Sequence, residues 1–413
     1  MFLQVIKENK EVQLLSKLGT TARVKDYESV RNAQDVYFKD FSLKAGGQAL
    51  AEYSIRKLSG FSCPIQCSRW LEVKEGLLKG AKGEGIEANT SDDWGKRIGV
   101  DYLPAIIKLH ILCNQLGLDI DVSSVTIAWA MECYQRGILT KEDTDGLDLK
   151  WGNYRAVIEL VKGIAYRKGK FANLLADGVI HASRRIGKGS DRFAMHVKKQ
   201  DLYEDGRMRI GWALGVATST RGGTHTRGSP GTEGLELPST VAEEVYGIPT
   251  AFDPKAYKGK GKLVVYMEQL KGIVDALGIC MFISKWLSPS LLGQDEFAEL
   301  LHATTGWKVT GKDLLRIGER IQTVEKAFNV REIGFTRKDD TLPKRMFEPI
   351  PSGPYKGLCI DKEKWEKALD EYYKEHKWDV QTGLPTKKRL IELGLRDVAD
   401  DLEKVRVWGK WST

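Results

Sequence analysis

Histidine is scarce in this chain: its 413 residues include 6 histidines, beside 6 cysteines and 12 prolines. No run of 18 uncharged apolar residues occurs. The richest stretch, Leu263 to Leu287, is broken by Glu268, Lys271, Asp275 and Lys285, so no membrane insertion is expected. The opening Met1–Lys7 is too short for a secretory signal and lacks its basic start, which points to a cytoplasmic setting with reduced thiols. Long apolar–polar alternation is nearly absent, which argues against an all-β fold, and no repeat of fixed period is found. The net charge of +8 is modest and forms no basic stripe, so no nucleic-acid partner is expected. Its sign is compatible with an acidic electron-transfer partner.

The chain is long enough for two or three domains, and a content of 42% hydrophobic and 29% charged residues reads as globular. Glycine is abundant at 42 residues, against a usual share of about 7%, favouring many helix stops and tight turns. From Leu103, Ile106, Leu109, Cys113 and Leu116 recur at helical spacing and Gly117 sits at a C-cap position. Ser123 or Ser124 can cap a second helix through Arg136, stopped by Gly137. A third is expected from Tyr154 to Arg167. Further helices are read over Leu263–Trp286, 311–328, Lys364–Lys374 and Lys387–Val407. Between Gly211 and Gly261 glycines crowd around Pro230 and Pro238, marking either a linker or a loop folded around something. The fold class is therefore mainly α, in two domains, 1–205 and 206–413.

Three segments carry chemistry. Asp275–Cys280 places a carboxylate, a glycine and a thiol within one short stretch, and Asp143–Asp148 nearly copies it. An acid three residues before a glycine can accept N–H donors from a flat heterocycle, while the glycine lets backbone approach it. Cys63 and Cys67 flank Pro64, and with Cys280 they offer three thiolates, which suit an iron–sulfur cluster better than a closed zinc site. Taken alone, each feature has a plainer reading as a turn or an ordinary thiol. Cys113 and Cys133 lie in strongly helical segments and read as core. His110 faces an apolar side, whereas His225 sits in the glycine-rich loop between Arg221 and Arg227.

The ordered set of segments resembles the aldehyde ferredoxin oxidoreductases. It comprises Ser62–Cys67, Asp143–Asp148 followed by Trp151-Gly152-Asn153, Thr220–His225 and Asp275–Cys280. Gly318–Ile321 with Ala327-Phe328-Asn329, Asp339–Pro343 and Gly383–Thr386 complete it. The resemblance covers nearly the whole chain. It implies two helical domains matching the family's second and third, and a tungsten or molybdenum bis-pyranopterin with a 4Fe-4S or 3Fe-4S iron–sulfur cluster. It further implies that Asp143, Gly146, Asp148, Asp275 and Gly278 bind pterin, and that Cys63, Cys67 and Cys280 bind the cluster. His225 and Glu87 would then handle protons. The implied reaction interconverts an aldehyde and a carboxylic acid, with ferredoxin or a similar carrier taking the electrons.

Three departures are legible. The family's first cluster cysteine is replaced by Gly60. Its Pro-Glu-Tyr-Glu segment is here Ile86-Glu87-Ala88-Asn89. The sequence begins where the family's helical second domain would, so the family's N-terminal β-rich domain is expected either on a separate subunit or, if this is a fragment or truncated reading frame, outside this sequence. Alternatives are a catalytic subunit of a benzoyl-CoA-reductase-like complex, or a non-catalytic electron-transfer or scaffold subunit.

Overall fold

The apolar run beginning at Leu103 closes into the helix Leu103–Leu116 in a computed structural model that describes residues 2–405. Pro104 lies in its first turn, where a missing N–H costs little, and Gly117 ends it at φ 69°. The next helix, Ile120–Gln135, is capped by Asp119, whose carboxylate accepts the Val122 amide at 2.9 Å. Ser123 and Ser124, the expected caps, are instead buried inside it. Among the described residues no single helix is long and apolar enough to cross a membrane. These two helices are long and apolar enough only when taken together, and they are bent by 119° and largely buried in the interior.

These helices belong to the first of two compact units, Lys10–Asp205 with Pro343–Cys359; the second holds Gly206–Leu342 with the described residues up to Asn9 and from Ile360. The units thus differ from contiguous halves 1–205 and 206–413 at two places. In the first unit the helices Ala88–Trp94, Tyr154–Tyr166 and Gly178–Ile186 surround the central pair. Small antiparallel sheets lie beside them. The largest has Ser68–Glu72 at its centre, pairing Trp70 with Arg56 on Ser54–Leu58 and with Glu84 on Lys82–Glu84. The segment 343–359 is tied in by charge: Arg345 donates to both oxygens of the fully buried Glu132, at 2.7 and 2.8 Å. Asn32 donates to the same carboxylate at 2.7 Å.

The second unit is built around the helix Lys260–Ala276, packed against Ile210–Thr218, Gly311–Ile333 and Lys362–His376. Part of the glycine excess serves this packing. A Cβ on Gly318 would stand 2.2 Å from the Gln269 carbonyl oxygen, so the two long helices cross with backbones touching, where no larger residue fits. At its interior Glu268 accepts from Tyr372 at 3.1 Å and contacts His376 Nε2 at 2.9 Å.

Several helix boundaries depart from the sequence reading. The expected Leu263–Trp286 helix stops at Ala276, because Gly278 takes φ 68° and turns the chain. The expected Lys387–Val407 helix is two helices, Lys387–Glu392 and Arg396–Lys404, broken at Gly394 with φ 74°; its last expected residues lie outside the described ones. The glycine-rich stretch after Gly211 begins inside a fully buried helix, Ile210–Thr218. The loop that follows is folded around that helix.

Candidate functional site

Cys63 and Cys67 lie on the loop joining the strands Ser54–Leu58 and Ser68–Glu72. Ser62 and Gln66 hold left-handed φ of 52° and 57°, and Ile65 is buried, so the loop is shaped by its own backbone and pinned by one apolar anchor. None of the six cysteines forms a disulfide. Cys63 and Cys67 are half-buried and Cys280 is exposed, whereas burial pushes Cys113 and Cys133 up to about 12. Those two are core, as expected from their helices.

Arg69 ties the cysteine loop to the Ser16 carbonyl, at 3.3 Å. Its guanidinium donates to the Cys67 carbonyl at 2.7 Å, and both Cys67 and Glu87 act electrostatically on it. Glu87 occupies the N-cap position of Ala88–Trp94 and accepts from Thr20 Oγ1. Its outer edge is exposed, yet desolvation of the carboxyl raises its pKa, with Thr20 and Arg69 opposing. No motif announces Arg69; only its position two residues after Cys67 could have drawn notice.

The first acidic motif is a turn braced from inside. Buried Thr144 donates to the Leu147 carbonyl at 2.7 Å, and Asp145 accepts the Phe171 amide at 2.8 Å. Gly146 takes φ 85°, a conformation that favours glycine. Asp143 is left at the surface, its pKa lowered by the Thr140 amide, which donates to it at 2.8 Å. Asp148 is half-buried, and Lys150 beside it and Tyr134 at 3.1 Å hold its carboxyl below the usual range.

In the second unit Asp275 stands in the last turn of Lys260–Ala276, and Gly278 follows with φ 68° and open space where a Cβ would go. One Asp275 oxygen is met by Lys271 and the other by Arg227 at 3.4 Å. Arg227 also donates to Glu325 at 2.7 Å, so it fastens the His225 turn to the acidic motif. His225 begins that turn, His225–Arg227, and stacks on Trp212 with centroids 4.8 Å apart and planes 21° from parallel. His110, by contrast, is buried against the Glu84 carbonyl at 2.8 Å.

The structure thus joins the His225 turn to Asp275 through Arg227, while Arg69 bonds the Cys67 carbonyl and lies within electrostatic reach of Glu87. Asp143, Gly146 and Asp148 share one loop. Among the described residues no three His, Cys, Asp or Glu side chains form a ready metal-binding group. The residue types are those a pterin and a cluster would need: carboxylates that accept N–H donors of a flat heterocycle, and thiols that ligate iron. Each motif carboxylate has lone pairs to spare. Trp212 Nε1 and Arg227 Nε, beside the His225 turn, are buried without hydrogen-bond partners among the described residues.

Comparison with known proteins bears on the family. A family profile, aldehyde ferredoxin oxidoreductase, domains 2 and 3, matches residues 1–395. The chain is 33% identical to the tungsten-containing aldehyde ferredoxin oxidoreductase of Thermococcus kodakarensis, over 89% of this chain and 57% of that protein. It is 32% identical to the Pyrococcus abyssi protein of the same name, over 96% of this chain and 64% of that one. At 28% identity it is similar to an aliphatic sulfonate oxidoreductase, WOR-like subunit, of Pyrococcus furiosus, over 92% of this chain and 57% of the other. Among solved structures it shares its fold with the active-site complex of benzoyl coenzyme A reductase bound to 1,5-dienoyl-CoA. The TM-score is 0.74 at 20% identity, covering 97% of this chain and 62% of the other. The chain spans about three fifths of the length of the curated relatives it matches.

Proposed function

Because the chain belongs to the aldehyde ferredoxin oxidoreductase family, through that family's second and third domains, we propose that it forms the helical body of an oxidoreductase interconverting an aldehyde and a carboxylic acid. Aldehyde and water would give the acid, two protons and two electrons. The observation that carries this reading is that both D-x-x-G motifs fold as turns closed by a left-handed glycine, with the leading carboxylate toward solvent.

Asp143, Asp148 and Asp275 would hold the pterins, with Gly146 and Gly278 allowing close approach. Cys63, Cys67 and Cys280 would hold the cluster. When bound, the tungsten or molybdenum bis-pyranopterin supplies the two-electron chemistry and the cluster passes single electrons to ferredoxin or a similar carrier. The chain's own share is binding, orientation and proton handling. His225 would take or give a proton at a ring nitrogen, since its half-exposed imidazole has both a donor and an acceptor nitrogen to offer. The Glu87 carboxyl, raised by desolvation, is suited to hold a proton longer than an ordinary carboxylate. Asn89, standing where the family's second glutamate is expected, favours a second reading with a changed substrate, a benzoyl-CoA-reductase-like catalytic subunit.

A bispterin is larger than two turns can cover, so a β-rich body, proposed as a separate subunit, would complete the enclosure. Val324 and Phe328, 39% and 55% exposed, flank the Glu325 that binds Arg227 and would lie under such a cover. The test is metal analysis and aldehyde-dependent dye reduction on protein purified without oxygen, with and without a co-expressed β-rich partner. Tungsten or molybdenum with iron and turnover is expected in the complex. Iron alone would leave an electron relay, and neither metal in the covered protein would leave a scaffold.

A further inference from the structure

His225 lies in a loop where Gly222, Gly223, Gly228, Gly231 and Gly234 fall within a short span, a composition that ordinarily leaves a side chain many conformations. The structure removes that freedom. We propose that Trp212 is a positioning residue for His225, and that the buried Glu233–Lys260 pair fixes the helix turn that presents it. The proposal rests on the reading of His225 as a proton carrier, and it adds to that reading how the imidazole is held.

The chain of contacts runs through one helix end. Trp212 is in the first turn of Ile210–Thr218, and its indole is nine-tenths buried beneath the His225 ring, with the Arg209 guanidinium 4.0 Å from its centroid. The leading amides of that helix, on Gly211 and Trp212, donate to the Glu233 carboxylate at 2.9 and 2.6 Å. Glu233 belongs to the same loop as His225, so the loop caps the helix that supports it. Its charge is met by Lys260 at 2.8 Å, with both side chains wholly buried. Lys260 in turn donates to the Thr250 carbonyl at 3.0 Å.

Between the two ends Ser229 adds a third fastening. Its hydroxyl donates to the Trp212 carbonyl at 2.9 Å, and its own carbonyl accepts from Trp286 Nε1 at 2.7 Å. A Cβ on Gly215 would stand 2.6 Å from the Ser229 backbone, and one on Gly211 2.8 Å from Glu233 Oε1. Helix and loop therefore touch where only glycine fits. A general acid or base works best when its ring is already aimed, because reorienting it during the reaction costs rate. The stack fixes the plane of the imidazole while its half-exposed edge stays reachable.

The test uses the full chain with histidines labelled at Cε1, and His225 assigned by its disappearance in His225→Gln. Lying over an indole, the His225 resonance is expected upfield of an unstacked histidine. It should lose that shift in Trp212→Leu and keep most of it in Trp212→Phe. In the loaded protein, Trp212→Leu should lower kcat at least tenfold with KM little changed and alter the pH profile of kcat, while Trp212→Phe restores both. A wild-type His225 without the upfield shift, or one unmoved in Trp212→Leu, overturns the proposal. So does loss of the shift with kcat and pH profile untouched, since Trp212 would then only fill space. If the wild-type protein oxidises no aldehyde, the functional reading fails while the resonance still decides the stack.

Discussion

Gly60 faces open space: a Cβ built there meets nothing within 4 Å, and its φ lies outside the left-handed region. It shares the turn of Cys63, whose amide bonds the Gly60 carbonyl at 3.3 Å. Nothing local therefore forbids a cysteine. On the proposed ligand set, Gly60→Cys should raise iron per chain and slow its loss in air, read by iron analysis and absorbance decay. A native protein already holding a full, air-stable four-iron cluster would show that the ligands are elsewhere. Asp275 makes a companion case. Its bonds to a pterin amino group would be charge-assisted, about 1.5–3 kcal/mol each, so Asp275→Ala should cut tungsten or molybdenum content roughly tenfold or more. Circular dichroism should stay unchanged, because Asp275 is an exposed residue in the last turn of its helix and Arg227 keeps its bond to Glu325 at 2.7 Å. Unaltered metal content would reduce the motif to a helix ending.

Among the elements, the hairpin His196–Val197/Gln200–Asp201 carries a group with a pH signature. Burial lifts the Asp201 carboxyl from 3.8 to about 7, with the Val179 amide pulling the other way. Between those values the native state holds a proton that the unfolded chain has lost. Asp201 therefore favours folding below about pH 4, and that advantage fades as pH rises to about 7, at up to about 1.4 kcal/mol per pH unit. Urea midpoints across this range should fall more steeply in wild type than in Asp201→Asn. Asp93, also raised by burial, adds a slope of the same sign, whereas His376, pushed down to about 3 by burial, adds one of the opposite sign. The comparison with Asp201→Asn is therefore what isolates Asp201. Such elements mark where sequence reading ran out. The helix from Leu103 to Leu116 was legible because its apolar spacing and Gly117 agree. Ile210–Thr218 was not, since a helix buried all round has no polar face to set a period. The small sheets were too short to alternate. Asp143 and Asp275 could be found from their spacing to glycine, but Arg69, Trp212 and Glu233 could not, because tertiary packing alone brings them to the site.

At the scale of the whole molecule, the chain does not visit its two units in sequence: after Leu342 it returns to the first for Pro343–Cys359 before resuming the second at Ile360. That return segment delivers Arg345 to Glu132, a carboxylate with no exposure of its own. A fragment cut at residues 10–205 would keep Asn32 and Arg136 beside Glu132 but lose the bidentate partner. Leaving a buried charge wholly unpaired costs about 3–5 kcal/mol, and even the part of this that Arg136 and Asn32 do not offset is a sizeable share of a domain's stability. The fragment should therefore be unstable as expressed. A synthetic peptide spanning 343–359, added in trans, should bind it and raise its melting temperature, while the same peptide with Arg345→Met should not. The first unit is in this sense a split protein already joined by its own chain, and the short returning segment is a natural handle for assembling it on demand.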